Sequence, residues 1–78
     1  MPTAFREGPY RFFFYSADGH EPPHTHVERD DNVAKFWLDP VRLAESGGFG
    51  AKELRTIQQS VIGHRDQLLR IWNDYFTD

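Results

Sequence analysis

The chain has 78 residues, no cysteine and a formal net charge of −3. That size fits one domain, and the missing cysteine excludes disulfides and thiolate metal sites. Residues 1–50 carry eight acids and five bases and residues 51–78 four of each, so the basic footprint of a general nucleic-acid binder is missing.

The first residues, Met-Pro-Thr-Ala-Phe-Arg-Glu-Gly-Pro, lack the basic-then-apolar pattern of a secretory signal. The longest apolar run, Phe12-Phe13-Phe14-Tyr15, is far too short to cross a bilayer. A soluble cytoplasmic protein is expected. Tyr10 to Ser16 is aromatic-rich and bounded by Pro9 and by Asp18-Gly19, which predicts a buried strand. Thr25 to Arg29 is a second strand, entered from the Pro22-Pro23 corner. Asp30-Asp31-Asn32 reads as a turn, and Val33 to Leu38 as a third strand paired with the second in a hairpin. Asp39-Pro40 interrupts it. Val41 to Ala44 is a short fourth strand or edge segment, and Ser46-Gly47-Gly48 is a turn.

The second half reads as helix. Gly50 is the expected N-cap and Glu53 half of a capping box. Leu54, Ile57, Val61, Leu68, Trp72 and Tyr75 fall within roughly 60° of one another at about 100° per residue. The stripe runs through Gly63, which predicts one long helix over about 51–76, with Gly63 the place for a bend or break. The expected fold is α+β: one domain over 1–78, a three- to four-stranded antiparallel sheet within 10–44, and the long helix across one face.

Three of the four histidines fall within seven residues, in Asp18-Gly-His20-Glu21-Pro22-Pro23-His24-Thr-His26. On a strand, His24 and His26 point to the same face and can converge on one ion. Two prolines stiffen the corner between them and His20, lowering the entropy lost on assembly. Either bond, Glu21-Pro22 or Pro22-Pro23, is a candidate for cis. The expected metal ligands are His20, His24 and His26, with Asp18, Glu21 and His64 as further candidates. A divalent metal is the implied cofactor, zinc first, with iron, manganese and nickel compatible. Against this stands an ordinary account, in which the loop is a turn braced by its own polar groups and the histidines line a half-exposed strand. A metal-free anion or pH-sensitive site is a third.

His64 and Arg65 fall on the sheet-facing side of the helix. His64 reads either as a satisfied core group or as an outside ligand. Arg65 reads as a stem packed along aromatics, or as an anion or partner contact together with Trp72. Ser16 and Ser60 have no nucleophile context, and the residues assign no catalytic group.

These residues resemble a bacterial family, domain of unknown function 4160. The resemblance is carried by Phe12 to Val27 with its Pro-Pro-His-x-His core, by Ala34 to Leu38, and by the helix from Lys52 to Trp72. The family's loop reads D-H-x-P-P-H-x-H, and here Gly19 stands between Asp18 and His20. His24 and His26 correspond directly, and His64 matches a histidine of the family's helix. The resemblance implies the same α+β fold and a setting like that of toxin–antitoxin modules.

Three functions follow as expectations, and whether the protein is an enzyme is left open by all of them. The first is a histidine-centred metal site, with hydrolysis as its candidate chemistry. The second is a non-enzymatic interaction module with a protein partner or a second copy. The third, disfavoured by charge, is a nucleic-acid protein using Arg11, Arg55, Arg65 and Arg70.

Overall fold

A computed structural model describes residues 3–76, so the ends of the expected 1–78 domain lie outside the described residues. The described residues form five strands and two helices. The strands are β1 (Thr3–Glu7), β2 (Tyr10–Phe13), β3 (His24–Arg29), β4 (Asn32–Leu38) and β5 (Val41–Glu45), and the helices are α1 (Ala51–Gly63) and α2 (Arg65–Phe76). The strands form one antiparallel sheet in sequence order, β1-β2-β3-β4-β5.

Three of the four connections are two-residue hairpin turns. Register pairs Glu7 with Tyr10 around Gly8-Pro9, Arg29 with Asn32 around Asp30-Asp31, and Leu38 with Val41 around Asp39-Pro40. Gly8 and Asp30 take φ of 56° and 54°, the left-handed region that tight hairpin turns require. Among the described residues the cis peptide is Asp39-Pro40, and the bonds to Pro22 and Pro23, which the sequence left open, are trans. Only the β2–β3 connection is long, and it carries the histidine loop, with a 3₁₀ turn at Asp18–His20.

The five-stranded sheet corrects the expected three or four strands. β1 escapes a hydrophobicity reading because Thr3–Glu7 holds only two apolar residues, Ala4 and Phe5, and is largely exposed. An edge strand needs little more than that.

Register divides the sheet into two faces. Phe12, Val27, Ala34, Phe36 and Leu38 point toward the helices and pack with Ile57, Val61 and Leu68 into the core. Burying one such side chain contributes about 1.5–3 kcal/mol. Arg11, Phe13, His26, Lys35, Trp37 and Arg42 share the opposite face.

The expected single helix is two. α1 ends at Gly63, and His64 at φ −110°, ψ 13° leaves the helical region before α2 begins. The apolar stripe hides this break because its spacing continues on both sides. Contacts with β1 hold it instead: the His64 ring lies on Phe5 with centroids 4.5 Å apart, and Glu7 accepts hydrogen bonds from Ser60 and from His64 Nε2.

Gly50 is the N-cap of α1, but Glu53 forms no capping box. Its carboxylate takes two bonds from Arg29, at 2.6 and 2.9 Å, and one from Tyr10 Oη at 2.8 Å. This bidentate pair joins α1 to β2 and β3.

Candidate metal centre

The loop after β2 brings one carboxylate to two imidazoles. Asp18 Oδ2 accepts the Tyr15 backbone N–H at 2.7 Å, which fixes the carboxylate over the start of β3. From there it lies 3.1 Å from His24 Nε2 and 3.3 Å from His26 Nε2. One donor atom from each of Asp18, His24 and His26 lies within 4.8 Å of the other two. Three groups around one ion stand about 3–3.5 Å apart when each is about 2 Å from it, so a small closure completes the geometry.

The two histidines share a face because they are two apart on β3. His24 is buried, its ring against Trp72, His26 and Trp37 at centroid separations of 4.9, 5.2 and 5.6 Å. Its Nδ1 is 3.0 Å from the Pro22 carbonyl. A carbonyl only accepts, so Nδ1 carries the proton, and a neutral ring presents a bare lone pair at Nε2. That atom is buried, and its nearest polar neighbour is Asp18 Oδ2 at 3.1 Å, without the alignment of a good hydrogen bond. Two lone-pair-bearing atoms this near repel unless a proton or a cation lies between them. Backbone orientation of the remote nitrogen is also how proteins present an imidazole to a metal.

The pKa directions at His26 and Asp18 both favour the forms with a free lone pair. Burial, the largest influence, pushes the His26 pKa down, and the Asp18 carboxylate opposes it only in part. His26 is thereby biased toward the neutral form that binds metal. Burial acts to raise the Asp18 pKa, but the Tyr15 amide, His24 and His26 outweigh it and hold the carboxyl below its ordinary value.

The other expected site residues go elsewhere. His20 is exposed and outside this group. Glu21 accepts from Lys35 Nζ at 2.6 Å, with His24 Nδ1 at 3.8 Å. His64 is bound to Glu7 at the helix break. Arg65 donates from Nε to the Leu38 carbonyl at 2.8 Å and pairs with Asp39 at 2.8 Å and Asp66 at 3.2 Å, pinning the β4–β5 turn. Trp72 is buried against Phe14, Phe76 and His24.

Gly19 makes the loop's path workable. A Cβ there would stand 2.7 Å from Phe76 Cδ1, so the missing side chain lets the Asp18 turn settle on the end of α2. Tyr15, the Pro22 carbonyl and Trp37 were not among the expected site residues. Trp37 is opposite His24 in the β3–β4 register, a relation visible only once the hairpin is paired.

No helix among the described residues is long and apolar enough to cross a membrane. No curated protein and no solved structure matches the chain. Residues 10–73 match the family described as domain of unknown function (DUF4160), a span that includes the sheet from β2 onward, the histidine loop and most of both helices. The chain belongs to that family.

Proposed function

We propose that the protein is a divalent-metal-binding domain, with Asp18, His24 and His26 as its protein ligands. The observation that carries this reading is the convergence of donor atoms from Asp18, His24 and His26 within 4.8 Å of one another, with the buried His24 Nε2 3.1 Å from the carboxylate while its Nδ1 is bound to Pro22. Two imidazoles and one carboxylate suit zinc, and they also suit ferrous iron. Three protein ligands leave a position for water or substrate, and an ion there would supply Lewis acidity and lower the pKa of bound water. His26 and Asp18 keep side-chain exposures of 12% and 16% against 0% for His24, so solvent reaches the site from their side.

The test is metal analysis of tag-free protein, joined to zinc titration of EDTA-treated protein by calorimetry. One equivalent of zinc binding to the wild type and at least about hundredfold weaker binding to Asp18→Asn is the expected result. No binding by the wild type, or equal binding by the variant, overturns the reading.

A second reading has its own support. Asp18 accepts from Tyr15 and reaches both histidines, so the same three residues can pin the loop as a protonated cluster in an interaction module. That reading expects EDTA to leave the melting temperature unchanged.

A further inference from the structure

On the sheet face away from the helices, beside the histidine loop, lies a groove of about 220 Å³ lined by Pro22, Pro23, Trp37, Asp39, Pro40 and Arg42. We propose that this groove binds a small ligand made of one planar ring and one anionic group, the ring stacking on Trp37 and the anion held by Arg42.

Register puts the two recognition groups together. Trp37 pairs directly with Arg42 across β4 and β5, so both side chains rise from the same face. The charges at the groove are unequal in availability. Asp39 is paired with Arg65 at 2.8 Å, and neighbouring Lys35 is paired with Glu21 at 2.6 Å while its ammonium lies 4.6 Å from the Trp37 ring centre. Arg42 is exposed and has no ion pair or hydrogen bond with any described residue. Among the described residues the groove therefore offers one unpaired cation, and a guanidinium fork matches a carboxylate or phosphate oxygen pair.

The walls are rigid. Three prolines line the groove, the Pro23 carbonyl accepts the Leu38 N–H at 3.0 Å, and the His24 ring lies edge-on to Trp37. A preformed aromatic slot loses little entropy on binding a flat ring. Size selects the occupant class. Ligand sites for drug-sized molecules run to about 300–1,000 Å³, so this groove suits a single ring. A peptide in polyproline form, advancing about 3.1 Å per residue, needs a longer trough.

The test is an NMR titration of the ¹⁵N-labelled full chain in EDTA, so that no probe reports on an ion at Asp18. The probes are benzoate, phenyl phosphate and neutral benzamide. The Trp37 indole signal, assigned with Trp37→Phe, is followed beside that of Trp72. A saturable shift of Trp37 with one or both anions is expected, with Kd on the order of 1 mM for so small a molecule. Benzamide should bind at least about tenfold more weakly, and Arg42→Gln should erase that difference while leaving the rest of the spectrum in place. The preferred anion distinguishes a carboxylate ligand from a phosphate ligand. No saturable shift at Trp37 with either anion, equal binding of benzamide, or indifference to Arg42→Gln overturns the proposal.

Discussion

His24 and Trp37 face each other across β3 and β4, their rings 5.6 Å apart at an interplanar angle of 84°. The same His24 ring meets Trp72 at 4.9 Å. Both tryptophans of the chain therefore report on this imidazole. Zinc added to EDTA-treated protein should change the intrinsic fluorescence with one-to-one stoichiometry. Asp18→Asn should suppress that change, while Trp37→Phe and Trp72→Phe should each retain part of it. An unchanged spectrum at saturating zinc contradicts ligation by His24.

Removing the two histidines should have unequal effects on the metal-free protein. His24 is 1% exposed and packed between indoles, so His24→Ala opens a cavity and should lower stability by about 2–4 kcal/mol. His26 is only partly buried, and His26→Ala should cost about 1 kcal/mol or less. Urea unfolding in EDTA measures both. Equal losses would show that His24 is not the packed member of the pair.

The site should weaken in acid. The folded-state pKa of His26 is depressed, chiefly by burial, while the unfolded value is about 6.5. Stability from this group is present above the unfolded value and is lost as pH falls through it toward the folded value. Protons also compete with metal for the imidazoles. Zinc affinity measured from pH 8 to 5 should be highest at the alkaline end and fall below about pH 6.5, with the metal-free melting temperature falling in the same direction.

A second acid-labile element joins helix to sheet. Hydrogen bonds from Arg29, and then from Tyr10, hold the Glu53 carboxyl below its ordinary pKa. Its contribution is therefore present above the unfolded value of about 4.3 and is lost as pH falls through the folded value. Wild type should melt above Glu53→Gln at pH 7, and the gap should close in strong acid. A gap independent of pH would assign the effect to packing rather than charge.

Gly63 separates two explanations for the helix break. A Cβ added there meets nothing within 4 Å, and no positive φ is recorded for it. Gly63→Ala should raise stability by about 0.5–1 kcal/mol with the break retained, because β1 holds His64 through Glu7 and Phe5. Fusion of α1 and α2 into one helix in that variant would make the glycine itself the cause.

The sequence disclosed what depends on short-range pattern. Alternation alone places His24 and His26 on one face of a strand, and the spacing of Leu54, Ile57, Val61, Leu68 and Trp72 finds the buried side of both helices. What it concealed depends on pairing. The sequence offered Asp18 as a candidate, but not that its loop would close on Phe76 at the far end of the chain, where a Cβ at Gly19 would stand 2.7 Å from the ring. Trp37 and Arg42 become neighbours only through the β4–β5 register. β1 was invisible because an edge strand can be nearly polar, and the break at His64 because its restraints come from β1.

The order of strands in the sheet repeats their order in the chain, and this bears on how the molecule assembles. Three of its hairpins close over two-residue turns, and such local pairings form within about 1–10 μs. The slower closure is the one across residues 14–23, because its entropy cost rises with loop length. The turn that carries Asp18 is thus expected to be ordered last, against a β3–β4 hairpin that already holds His24 and His26 in place. An ion captured by Asp18 would then slow unfolding more than it speeds folding.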